Sequence, residues 1–397
     1  MLFRSGSGAI TINGDFRPRG MGVSVRTLGQ SADDDIIITG SINTRLGNHG
    51  VTLAAGLGDV SLSGDVGFQD RPLDFIPSTL TISGGTVTLR GVRTLGSQLY
   101  SGSTTLRGDL TTLGSGSIAM AGTTRLGASI AITTNAGPIV FGGALDSDAT
   151  ARSLVLLTGG GNLTRFVGAV GATSPLLSLF TNSDGSTRIE GGSIRTTGDL
   201  QFDNRVTLAS ATILTANDIV FSSTINSDGI GTPRALTLNS TTDGSDIGET
   251  TFAGAVGGIV PLRSISTNVD GTTRIGANLT TTEGMTFADT VHIVSDVTLH
   301  GGNGTLFFRS TVDTDPSATD RSLTLLSNAP STADSAPFKF GASVGNIRRL
   351  GTLTLGADRP DPQWAATAIF TDAFNASGQI ARSGVANSDL FIINTGS

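Results

Sequence analysis

The sequence predicts an all-β chain coiled as a right-handed parallel β-helix, one elongated β-solenoid over residues 1–397. Three observations predict it. Short apolar runs alternate with Thr and Ser at the two-residue period of a strand. The charged residues that favour helices are nearly missing, with Glu only at Glu190, Glu249 and Glu283 and Lys only at Lys339. And the chain repeats itself: Gly168-Ala169-Val170-Gly171 returns as Gly254-Ala255-Val256-Gly257, an offset of 86 residues (254 − 168).

Other markers recur in the same order. Thr181-Asn182-Ser183-Asp184-Gly185 returns as Thr267-Asn268-Val269-Asp270-Gly271, and Ile139-Val140-Phe141 as Ile219-Val220-Phe221 and Leu306-Phe307-Phe308. They divide the chain into a divergent copy at about 60–136, two clean copies at about 137–218 and 219–304, and an eroded copy over 305–397. A repeat chain escapes the size limit on a single core, because each unit buries its apolar face only against its neighbours.

Composition narrows the function classes. A net charge of −7 and an isoelectric point near 4.9 argue against a nucleic-acid binder, which would carry a basic stripe. With no Cys there are no disulfides and no thiolate metal ligands. No run reaches the roughly 18 apolar residues of a membrane helix, so direct membrane insertion is not expected. No apolar signal segment follows Met1-Leu2-Phe3-Arg4.

In chain order, Ala9–Ile12, Ile36–Thr39, Val51–Leu53 and Val60–Leu62 read as short strands bounded by Gly, Asn and Asp. Asp33-Asp34-Asp35 reads as a turn before one of them. Tyr100, Phe202 and Phe287 each follow a Gly turn on a strand and mark one core position refilled copy by copy. Each copy holds about ten strands, which fits a solenoid of three strands and three corners per turn. In the eroded copy, Ala365–Phe374 reads as a short helical or loop insertion.

Gly137-Pro138-Ile139-Val140-Phe141-Gly142-Gly143, Thr251–Gly257 and Ile194–Phe202 resemble the repeats of filamentous-haemagglutinin-like and autotransporter-passenger-like bacterial surface β-helices over roughly residues 60–360. The resemblance implies a right-handed parallel β-helix outside the cell, in adhesion or in a surface structure. It also implies a secretion domain and an export signal that this sequence lacks, so the chain reads as a segment of a longer polypeptide or as a subunit exported another way.

The strongest chemical constellation is Asp146 and Asp148 in Leu145-Asp146-Ser147-Asp148, which recurs as Asn226-Ser227-Asp228 and as Asp313 and Asp315 in Asp313-Thr314-Asp315. An Arg follows each time, at Arg152, Arg234 and Arg321. Oxygen-rich corners of this kind are Ca²⁺ candidates, although the spacing matches no EF-hand or nonapeptide calcium repeat. The preferred reading is an Asx turn with the Arg bridging the corner, and the same applies to Asp184 with Arg188 and Asp270 with Arg274. Recurring acids argue against an enzyme, since a polysaccharide-cleaving carboxylate pair should occur once and break the repeat. His49, His292 and His300 are scattered, and no cofactor is implied.

Both ends run out close to strand sequence without a polar cap, from which we expect subunits to stack end to end. The function this predicts is a structural cell-surface or extracellular fibre, sheath or stalk whose partners are copies of itself. The alternatives are an adhesin that binds surface glycans, with Ser331–Lys339 or Pro360–Phe374 as its site, and a polysaccharide-active enzyme.

Overall fold

The computed structural model describes residues 2–18, 22–44, 49–67, 75–241, 247–330 and 336–357, and the backbone of Ala366–Phe370, Ile380–Ser383 and Leu390–Asn394. The described residues form an all-β fold with no α-helix: parallel strands stacked as a β-solenoid of about 14 turns. The chain divides into two compact units, Met1–Thr197 and Gly198–Ser397.

In the first unit the strands fall into three parallel ladders. One runs from Leu2–Ser5 through Val23–Thr27 and Val51–Ala54 to Ile139–Phe141, Leu163–Phe166 and Ser186–Ile189. A second joins Ile10–Ile12, Ile36–Ile38 and Val60–Leu62, and continues through Thr124–Leu126 to Leu145–Ser147. The third stacks Val92–Thr94, Leu110–Thr112, Ile130–Thr134, Ser153–Thr158 and Ser178–Thr181. Leu80–Leu89 and Gln98–Leu106 are long enough to bend around a corner and serve the first two ladders, with a register shift between Ser83 and Thr86. One turn takes 18 residues where Leu80 pairs with Gln98 (98 − 80) and 25 where Ile139 pairs with Thr164 (164 − 139), so the corners absorb the length variation.

The second unit is built the same way. Leu200–Phe202, Ile219–Phe221, Glu249–Phe252, Thr272–Ile275, Thr290–Ile293 and Val312–Thr314 stack on one face. Thr212–Ala216, Ala235–Ser240, Ser264–Thr267, Met285–Phe287, Leu306–Phe308 and Phe338–Phe340 stack on another. Arg205–Leu208 and Ile225–Ser227 open the third, which bridges through Val256 to Leu279 and goes on to Val297–His300 and Leu323–Leu326. Ala366–Phe370, expected to be helix or loop, is a strand paired with Phe338–Phe340 and Leu390–Asn394. Its alternating Ala, Thr, Ile and Phe suit a pleat, and the ladder supplies the backbone partners. Trp364, Pro360–Ala365 and Thr371–Phe374 lie outside the described residues.

The repeat and the turn do not coincide. Four turns along the first face of this unit lead from Ile219 to Val312, 93 residues (312 − 219), whereas the counterpart of Ile219 by sequence is Leu306, 87 residues on (306 − 219). The shortfall is one strand and its corner, the step from Ile219 to Ile225. Leu306–Phe308 therefore lies on the face of Met285–Phe287, one face earlier than Ile219–Phe221. Likewise Val312–Thr314 lies on the Thr290–Ile293 face, although its counterpart Ile225–Ser227 belongs to the Val256 face. The copy over 219–304 makes four turns less one strand.

Strand after strand shows buried residues at alternate positions. Strands of three to five residues are marginal alone, so the inward columns hold them. Phe141 stacks on Phe166, Phe202 on Phe221 and Phe221 on Phe252, and Phe287 on Phe308 and Phe308 on Phe340, with centroids 5.1–5.7 Å apart and rings within 16° of parallel. In-register parallel pairing imposes this arrangement, because like residues sit one above the next. Tyr100 is also fully buried, and its hydroxyl donates to Gln98 Oε1 at 2.9 Å. Truncating the middle ring of a stack, Phe221→Ala, should cost about 3–5 kcal/mol in urea-induced unfolding, against about 0.5 kcal/mol or less for an outward change such as Thr251→Ser.

Candidate functional site

The recurring Asp corner is assembled from three elements: a short strand, the loop after Val-Gly, and the loop that ends at the Arg. In Leu145–Ser147, Ile225–Ser227 and Val312–Thr314 the first residue points inward; the second is half-buried in the first two strands, and Asp313 in the third is buried. The loop above it starts at Gly171, Gly257 or Gly345, each with φ near +67° to +68°. A Cβ on Gly171 would lie 2.1 Å from Arg195 O, and one on Gly257 2.1 Å from Thr280 O. Both the left-handed backbone and the close approach therefore demand glycine. This explains why the sequence repeats Val-Gly there.

The loops turn two successive amides toward the strand. Asp146 Oδ1 accepts from Thr173 N at 2.9 Å and Ser174 N at 3.0 Å. Asn226 Oδ1 accepts from Ile259 N and Val260 N at 3.0 Å, and Asp313 Oδ1 from Ile347 N at 2.9 Å and Arg348 N at 3.1 Å. One oxygen suffices, and Asn226 performs the task without charge. What the position requires is an acceptor for backbone amides.

The third residue completes the corner. Ser227 Oγ donates to Pro261 O at 2.8 Å and Thr314 Oγ1 to Arg349 O at 2.7 Å. The amides of Arg152, Arg234 and Arg321 in turn donate to Ser147 Oγ, Ser227 Oγ and Thr314 Oγ1.

The second acid of each pair meets an arginine. Arg152 pairs with Asp148 at 2.9 Å and Arg234 with Asp228 at 2.9 Å, bridging the corner as the sequence suggests. The Arg152 hydrogen bond, helped by the amide of Thr150, holds the Asp148 carboxyl below its usual range. In the third corner the pairing is exchanged: Asp315 is buried and takes Arg274 at 2.7 Å in place of Arg321. Burial pushes the Asp315 carboxyl up, but hydrogen bonds from Ser317 and the charges of Arg274 and His292 outweigh it and leave the carboxyl below its usual value. Among the described residues, no three His, Asp or Glu side chains gather as a metal-binding group.

Asp184 also serves the main chain, accepting from Gly160 N and Gly161 N at 3.0 Å. Arg188 turns to Glu190, which Arg165 grips through both oxygens at 2.6 and 2.9 Å. Arg274 reaches Glu249 at 3.5 Å in addition to Asp315. His292 faces outward between Arg274 and Asp313 in the ladder, while His49 and His300 belong to other strands and loops.

Two features had no signal in the sequence. Asp289 is buried at an inner corner, where Thr267 Oγ1 and Thr273 Oγ1 donate to its two oxygens at 2.5 and 2.7 Å. Burial raises its pKa above the ordinary 3.8 despite those two bonds and the nearby His292. The other feature is a hydroxyl-rich pocket of about 370 Å³ in the first unit, lined by Thr105, Thr124, Arg125 and Asp146 among others. A more open groove of about 450 Å³ in the same unit runs past Thr133, Asn182 and Asp184. No family model matches the chain, and neither a curated protein nor a solved structure matches it.

Two outcomes check this account. Asn226→Asp should leave stability within about 0.5 kcal/mol of wild type, whereas Asn226→Ala, which strands two amides, should cost about 1–3 kcal/mol in chemical denaturation; neither excess Ca²⁺ nor EDTA should move Tm. For Asp289 the folded pKa lies above the unfolded one. Its contribution is complete below the ordinary carboxylate value and is lost as pH rises through the raised folded value. Wild type should therefore lose stability relative to Asp289→Asn between about pH 4 and neutrality, read as a gap in Tm that widens over that window.

Proposed function

We propose that the chain is a structural segment of a cell-surface or extracellular fibre, sheath or stalk that works with copies of itself end to end. One observation carries the reading. Within the second unit, the copy that follows 219–304 is displaced from it by one face, so equivalent corners point in different directions. A recognition array would need its repeats in a row on one surface. Copies distributed around the axis suit a rod that meets its surroundings on every side.

The chemistry of the corners supports a non-catalytic role. Asp146, Asn226 and Asp313 hold backbone amides, and Asp148, Asp228 and Asp315 face guanidinium groups. A parallel ladder also extends by a heterologous step that does not close on itself, the relation that yields filaments. The likeness of the repeats to filamentous-haemagglutinin-like surface proteins supports a place outside the cell. Negative-stain electron microscopy and light scattering over a concentration series test the assembly: filaments one solenoid wide are expected, and a monomer at every concentration would overturn it.

A further inference from the structure

The pocket in the first unit lies where three rungs meet at a bend. Ser103 and Thr123 form its rim, their hydroxyls 2.8 Å apart. Thr105, Arg125 and Asp146 follow one another outward-facing along the second ladder, in register from strand to strand. Arg125 is exposed, and its guanidinium makes no ion pair or hydrogen bond among the described residues, unlike those of Arg152, Arg165 and Arg234. Asp146 gives one oxygen to the Thr173 and Ser174 amides, and its other oxygen has no donor among the described residues.

These groups select a ligand by exclusion. Strand neighbours lie roughly 4.8 Å apart, so a free guanidinium and a half-free carboxylate share the pocket at close range. An anion drawn by Arg125 meets Asp146, and a cation drawn by Asp146 meets Arg125. A neutral molecule with adjacent groups that both donate and accept satisfies both at once. Hydroxyls are such groups, and the Ser and Thr around them match the same chemistry. The volume is in the range of small-ligand sites.

We propose that this pocket binds a pyranose ring of a neutral saccharide, with Arg125 donating to one ring hydroxyl and Asp146 accepting from its neighbour. The fibre reading does not require the site, which would let a structural rod hold a glycan along its side.

Saturation-transfer NMR and calorimetric titration of the full chain test it, using methyl glycosides of glucose, galactose and mannose, with methyl glucuronide and sodium sulfate as charged probes. At least one neutral glycoside should bind, and more tightly than either charged probe. Arg125→Gln and Asp146→Asn should each weaken that binding about tenfold or more. Asp146→Asn should leave Tm unchanged, since Asn226 caps the equivalent pair of backbone amides with its amide oxygen, which separates lost binding from lost folding. Failure of every neutral glycoside to bind, a preference for glucuronide or sulfate, or unchanged binding in both folded variants would overturn the assignment.

Discussion

The structure depends on parallel in-register pairing of strands too short to persist alone. A three-residue strand such as Ile219–Phe221 buries two side chains and exposes one, and its backbone groups are met only by the strands before and after it in the ladder. Like residues then fall into columns, as the stacked rings of Phe202, Phe221 and Phe252 show. The inward columns supply apolar burial, while the ladders satisfy the main chain without any helix.

Corners are the complementary problem, because there the ladder stops and amides turn outward with no strand to meet them. The repeat solves this with a glycine in the left-handed region and a side-chain acceptor one turn away, as at Gly257 with Asn226. Most acids of the recurring motifs answer to this requirement or to an arginine. The exchange at the third corner, where Asp315 takes Arg274, shows that the ion pair can change partner while the amide cap stays in place. Exposed ion pairs contribute little; the cap, which would otherwise strand two amides, is the conserved element of the three corners.

Much of the scaffold was legible in the sequence because the signals are local. Alternation in Val51–Ala54 or Val60–Leu62, and Gly with Asp between strands, depend on a few neighbouring residues, and the structure places strands there. The pairing of Arg152 with Asp148 was legible for the same reason, at four residues' separation. Contacts made between turns were not. Arg274 and Asp315 meet across 41 residues (315 − 274), and which Arg answers which Asp follows from ladder register. Ala366–Phe370 was misread because prolines and the single Trp beside it suggested an interruption, while its own alternation was sound. Asp289 and the Arg125 pocket belong to no motif, so only the packing of neighbouring rungs defines them.

The mismatch between copy and turn in the second unit has a consequence for how such a chain can grow. Inserting or deleting one copy would change the number of turns and also swing everything beyond it by a third of a revolution, whereas a block of three copies would restore the original bearing. Copy number in this architecture therefore sets direction as well as reach. Related chains that differ by a single copy would carry the same surface on flanks a third of a revolution apart, without a substitution in it.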